Sequence, residues 1–93
     1  MPLRFLIPGP LQDLAGDRRQ VVVDARARSV GEALGLLWTE CPAVRDRVMS
    51  ETGNVREHVN IFVDGESIRY TGGLATPVRS ESEIVIFPAL SGG

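Results

Sequence analysis

The chain has 93 residues, with ten basic and twelve acidic side chains, a formal net charge of −2, and 43% hydrophobic content. That length suits one domain, the composition excludes a disordered chain, and no apolar run approaches the roughly 20 residues of a membrane span. The acidic balance argues against a nucleic-acid partner, and a single cysteine, Cys41, excludes an internal disulfide.

Leu3-Arg4-Phe5-Leu6-Ile7 is short and apolar, and Pro8-Gly9-Pro10 closes it. It reads as a first strand. It is too short for a signal-peptide core, so a cytoplasmic location is expected. Gln20 to Asp24 is β-branched and follows Ala15-Gly16-Asp17, which reads as a second strand paired with the first across a long loop. From Ser29 to Cys41, the residues Val30, Ala33, Leu34, Leu37, Trp38 and Cys41 recur at helical spacing and form one stripe. Ser29 and Glu32 fit a capping box, in which each side chain bonds the other's backbone N–H. Pro42 stops or kinks this helix, and Ala43 to Met49 makes one or two more turns with Val44 and Val48 inward. Ser50 to Glu57 is polar, contains Gly53-Asn54, and reads as a loop.

Val59–Val63 and Glu66–Tyr70 flank Asp64-Gly65, a two-residue hairpin signal. The expected register sets Val63 opposite Glu66, Phe62 opposite Ser67, Ile61 opposite Ile68 and Val59 opposite Tyr70. Val59, Ile61, Ile68 and Tyr70 then face the core, with Phe62 and Arg69 on the other face. Thr71 to Glu83 reads as an irregular connection. Ile84–Phe87 is apolar at every position, so it reads as a central strand covered on both faces. It is expected beside the first strand and parallel to it. The order is β-β-α-β-β with a final buried strand. The predicted fold is an α+β roll of the β-grasp (ubiquitin-like) type, a mixed sheet with one main helix on one face. Residues 1–88 form the domain and 89–93 the tail.

No catalytic constellation stands out. His58 is the only histidine, so no His pair can hold a metal. Cys41 lies on the apolar stripe, where a thiol is buried and inert. Gly72-Gly73 lacks the Lys and Ser/Thr of a phosphate-binding loop and reads as a turn. Asp64 and Glu66 read as solvated residues beside a tight turn, and Trp38 as core. No bound cofactor or metal is expected.

The tail Ala89-Leu90-Ser91-Gly92-Gly93 remains. Taken alone, it reads as a loose end of small residues. Placed after a buried strand, it becomes a carboxylate aimed outward from a fixed point. Leu90 to Gly93 spans about 13 Å when extended. Two glycines without side chains allow the terminus to thread a narrow channel in a partner. A free carboxylate is a poor electrophile and needs activation, for which adenylation by ATP is the usual route. A sulfur nucleophile can then displace the adenylate and leave a thiocarboxylate. All ten basic residues are arginine and lysine is absent. This reads either as compositional bias or as removal of the chain's own side-chain amines from the reach of an activated tail.

The segments Val59 to Gly65, Arg69-Tyr70-Thr71-Gly72-Gly73-Leu74-Ala75-Thr76, Ile84 to Phe87, and Pro88-Ala89-Leu90-Ser91-Gly92-Gly93 resemble the ThiS/MoaD family. More narrowly, they are similar to the sulfur carriers of actinobacterial cysteine biosynthesis. The resemblance implies a β-grasp fold, activation by an E1-like adenylating enzyme that uses ATP, and thiocarboxylate formation at Gly93. It also implies a sulfur-acceptor biosynthetic enzyme as second partner, and a carrier that is a co-substrate and not itself an enzyme. From the residues themselves, Leu90, Ser91 and Gly92 are read as the stretch that enters the partner channel, and Phe62 and Arg69, on the outward face set by the hairpin register, as docking residues. The free carrier is expected to be monomeric, without nucleic-acid or membrane partners. Alternative readings are a molybdopterin synthase small subunit and a ubiquitin-like protein modifier.

Overall fold

The computed structural model describes residues 2–88. Five strands form one mixed sheet in the order β2-β1-β5-β3-β4, with β1 Leu3–Leu6, β2 Gln20–Val23, β3 Val59–Val63, β4 Glu66–Ser67 and β5 Glu83–Pro88. β5 runs parallel to β1 and antiparallel to β3, as expected for a central last strand. β1 and β2 are antiparallel, and their connection holds a 3-10 helix, Gly9–Ala15, absent from the sequence reading. Its Leu11 and Ala15 are buried, so the long loop contributes to the core. Gly16 ends it in the left-handed region at φ 69, which glycine adopts without steric cost.

Helix α1, Val30–Glu40, buries Val30, Ala33, Leu34 and Leu37 against the sheet. Trp38 is half-buried on the same core. The Ser29 hydroxyl accepts the Glu32 N–H at 3.3 Å, but the Glu32 carboxylate accepts the Arg28 N–H, one residue before the position a capping box requires. Cys41 separates α1 from α2, Pro42–Val48, whose first residue is the proline. Val44 and Val48 face inward as expected.

The hairpin register holds for two pairs only, Val63 with Glu66 and Phe62 with Ser67. β4 then stops, and Ile68–Tyr70 turns as a 3-10 helix. Two local bonds divert it. The Ser67 hydroxyl accepts the Arg69 N–H at 3.3 Å, capping the turn. The Arg69 guanidinium donates to the Val59 carbonyl at 3.1 Å, the acceptor that a longer β4 would have met with the Tyr70 N–H. Ile68 still reaches the core, but Tyr70 is 88% exposed, which corrects its assignment to the core face.

The segment Gly72 to Thr76 locks the β4–β5 connection onto α1. Gly72 and Gly73 have φ of 121 and 60, conformations that favour glycine. The Thr71 and Thr76 hydroxyls lie 3.0 Å apart, and the Thr76 carbonyl accepts the Val30 N–H at 2.9 Å. The two glycines are therefore a turn, as read. Asp64 is more than a solvated turn residue: its carboxylate accepts the Glu83 N–H at 2.9 Å and the Ser82 hydroxyl at 3.0 Å. These bonds pin the hairpin turn to the start of β5.

Candidate functional site

The predicted reactive residues Gly93 and Gly92, and the channel residues Leu90 and Ser91, lie outside the described residues. What the structure specifies is the strand that delivers them. β5 sits between β1 and β3, with Ile84 and Ile86 fully buried. It reaches Pro88 paired with Val59, the first residue of β3. Burying an isoleucine stabilises by about 1.5–3 kcal/mol, so two such anchors hold the point from which the tail departs.

Side chains alternate along each strand, so residues paired across the sheet share a face. The face beneath α1 carries Phe5, Val21, Ile61, Ile84 and Ile86, all buried. Among the described residues, no helix covers the opposite face. Register places Leu6, Val85 and Phe62 in one row across β1, β5 and β3 there. Phe87 stands on the same face, opposite Asn60. The Phe62 and Phe87 rings meet edge-to-face, 6.0 Å between centroids and 81° between planes. Phe62 is half-buried, Phe87 is 43% exposed, and Val22 on the same face is 50% exposed. Arg4 and Glu83 are 4.0 Å apart beside this row.

Phe62 is therefore on the outer face, as its register predicts. The expectation that β5 is covered on both sides is corrected: α1 shields only Ile84 and Ile86. Phe87 is the residue that sequence reasoning missed. Its signal was the two-residue alternation of Ile84-Val85-Ile86-Phe87, hidden because every position is apolar. Arg69 is also corrected. In the 3-10 turn it leaves the face of Phe62 and instead lines a cavity of about 260 Å³ with Val59, Ile61 and Ile68. Its guanidinium donates to the Glu57 and Val59 carbonyls. Its position is that of a structural tie.

The remaining candidates, Cys41 and His58, lie in different surroundings. Cys41 is 3% exposed, and its Sγ accepts from the Arg18 guanidinium at 3.2 Å. His58 is exposed in the turn before β3. Among the described residues, no group of three His, Cys, Asp or Glu side chains could hold a metal, and no helix is long and apolar enough to cross a membrane.

Known proteins share this fold. The ThiS family model matches residues 5–93. Sulfur carrier protein CysO of Mycobacterium tuberculosis (strain ATCC 25618 / H37Rv) is 32% identical over 95 residues, spanning 100% of both chains. The crystal structure of SAMP1 from Haloferax volcanii has a TM-score of 0.85 at 30% identity, covering 100% of each chain. A chain in the crystal structure of the Amycolatopsis orientalis BexX/CysO complex has a TM-score of 0.85 at 25% identity, covering 98% of this chain and 99% of that one.

Proposed function

This chain belongs to the ThiS family, and we propose that it is a sulfur carrier whose working group is the Gly93 carboxylate. The observation that supports this most directly is that the family match runs from residue 5 to residue 93, taking in the whole Gly-Gly tail. Full-length similarity to a protein named sulfur carrier points the same way. So does a fold whose last strand is anchored as far as Pro88.

In the proposed cycle, an E1-like partner joins the Gly93 carboxylate to the AMP part of ATP and pyrophosphate leaves. A sulfur nucleophile attacks the acyl carbon, AMP leaves, and once the sulfur is freed from its donor a thiocarboxylate remains. The thiocarboxylate sulfur then displaces the leaving group of an activated acceptor held by a second enzyme, and hydrolysis by water of the bond to the Gly93 acyl carbon leaves the sulfur on the acceptor and restores the carboxylate. ATP dependence places the reaction in the cytoplasm. The similarity to CysO makes cysteine synthesis the acceptor pathway of this reading. The carrier is a co-substrate throughout, and nothing in the scheme requires it to hold ATP or a metal.

The uncovered sheet face is the proposed docking surface. Phe62 and Phe87 form one aromatic patch, and Phe87 immediately precedes Pro88, so a partner that receives the tail meets the patch first. Aromatic residues dominate interface energetics when central and desolvated. Arg69 drops out of this surface.

The similarity to SAMP1, a small archaeal modifier protein by name, supports a second reading in which the same activated carboxylate acylates amines on other proteins. Incubation with the adenylating enzyme, ATP and a sulfide source separates the two. The carrier reading expects a mass gain equal to the exchange of one oxygen for sulfur, located on Gly93. Removal of Gly92 and Gly93 should abolish that gain and leave the fold intact. Lysine-linked conjugates without any thiocarboxylate would establish the modifier reading instead.

A further inference from the structure

All ten basic residues other than His58 are arginines, and five of their side chains are engaged. Arg4 pairs with Glu83 and Arg45 with Asp46. Arg18 holds the Ala15 carbonyl and Cys41, Arg56 holds the Asp46 carbonyl, and Arg69 holds two carbonyls of its own. The guanidinium groups of Arg26, Arg28 and Arg79 make no hydrogen bond or ion pair with a described residue. All three nevertheless line one cavity of about 590 Å³. All three are exposed, so water screens their mutual repulsion, and an anion entering the cavity would meet three cationic groups without a partner among the described residues.

The lining offers little internal compensation. Glu32 is its single acid, and the Glu32 carboxylate already accepts the Arg28 N–H at 3.3 Å. Leu3, Ala25 and Ala27 supply an apolar wall without steric bulk. The two segments that carry the arginines are laced together by backbone. The Arg28 carbonyl accepts the Val78 N–H at 3.2 Å, Ser29 bridges to Pro77, and the Arg79 N–H donates to the Ser82 hydroxyl at 2.9 Å. The arginines therefore project from preformed backbone, and a ligand need not order the chain to meet them.

We infer that this cavity is an oxyanion site that takes a small phosphate-bearing ligand. Guanidinium groups match phosphate oxygens with paired, directional N–H donors. Three of them suit a dianion with several acceptor oxygens, and the volume leaves room for the remainder of a phosphate ester. The site lies at the opposite end of β5 from Pro88. Leu3 opens β1, and Arg79 lies just ahead of β5, which runs parallel to β1 toward Pro88. Six residues of strand separate the two ends by about 17 Å. Binding here depends on nothing that happens at Gly93, so the site stands or falls apart from the sulfur-carrier reading.

The test titrates the full chain with inorganic phosphate and with AMP at constant ionic strength, following amide chemical shifts and heats of binding. Saturable shifts are expected at residues 25–28 and 79–80. Affinity should fall at least tenfold in Arg28→Gln/Arg79→Gln and stay unchanged in Arg19→Gln/Arg47→Gln, which removes equal charge elsewhere. A chain lacking Gly92 and Gly93 should bind equally well. Tighter binding of AMP than of phosphate assigns the site to an ester, and equal binding assigns it to the free ion. Shifts that do not saturate, an equal loss in the control pair, or binding of an acidic peptide in place of both phosphates overturns the inference.

Discussion

Replacing Phe87 with alanine separates the role of the outer face in folding from its role in docking. A phenylalanine side chain presents about 200 Å². With 43% of Phe87 exposed, roughly 110 Å² is already covered within the fold, including the edge of Phe62. At about 25 cal/mol per Å², loss of that contact costs at most about 3 kcal/mol of stability, an upper bound because the unfolded chain also buries some surface. The exposed remainder, about 90 Å², is what a partner can still cover, and its loss corresponds to about 2 kcal/mol of binding, or roughly a thirtyfold weaker complex. The measurements are denaturant unfolding and calorimetric titration with the adenylating enzyme, at a temperature where the variant stays folded. A Phe62/Phe87 double-mutant cycle should return a coupling of about 0.5–1.5 kcal/mol from the edge-to-face pair. Ile86→Val serves as the control, lowering stability by about 0.5–1.5 kcal/mol with affinity unchanged. A folded Phe87→Ala protein that binds as tightly as the parent would refute docking through this face and leave recognition to the tail.

Gly92→Val restricts φ and adds bulk where a narrow partner channel is expected, so the thermal midpoint should hold while the adenylation rate collapses; a normal rate would rule out a threaded tail. Asp64→Ala removes both bonds to the start of β5 and leaves a non-glycine residue at φ 49. It should cost about 1–3 kcal/mol in urea unfolding. Asp64→Asn, which keeps a short acceptor and tolerates that φ, should cost less. Gly35 is exposed in the interior of α1, and a Cβ there meets nothing within 4 Å. Gly35→Ala should therefore raise stability by about 0.5–1 kcal/mol, and a fall in the unfolding midpoint would contradict the packing described here.

The features legible in the sequence were those set by local chemistry. The stripe from Val30 to Cys41 and the Ser29 cap specify α1 because helix periodicity and end-capping act within a few residues. Asp64-Gly65 specifies the first two cross-strand pairs because a two-residue turn leaves no freedom of register. The glycine tail, with no side chains to pack, announced itself by composition. Tertiary structure decided what depends on residues far apart in the chain. β4 ends at Ser67 because the Arg69 side chain reaches across to Val59, a competition that no window around Tyr70 contains. Asp64 became an anchor because β5 starts beside it, nineteen residues later. Ile84-Val85-Ile86-Phe87 looks equally apolar on both sides, and only the placement of α1 on one face determines that Phe87 remains exposed. Arg79 lies about fifty residues after Arg26 and Arg28 in the chain and shares a cavity with them only because backbone bonds fold the two segments together.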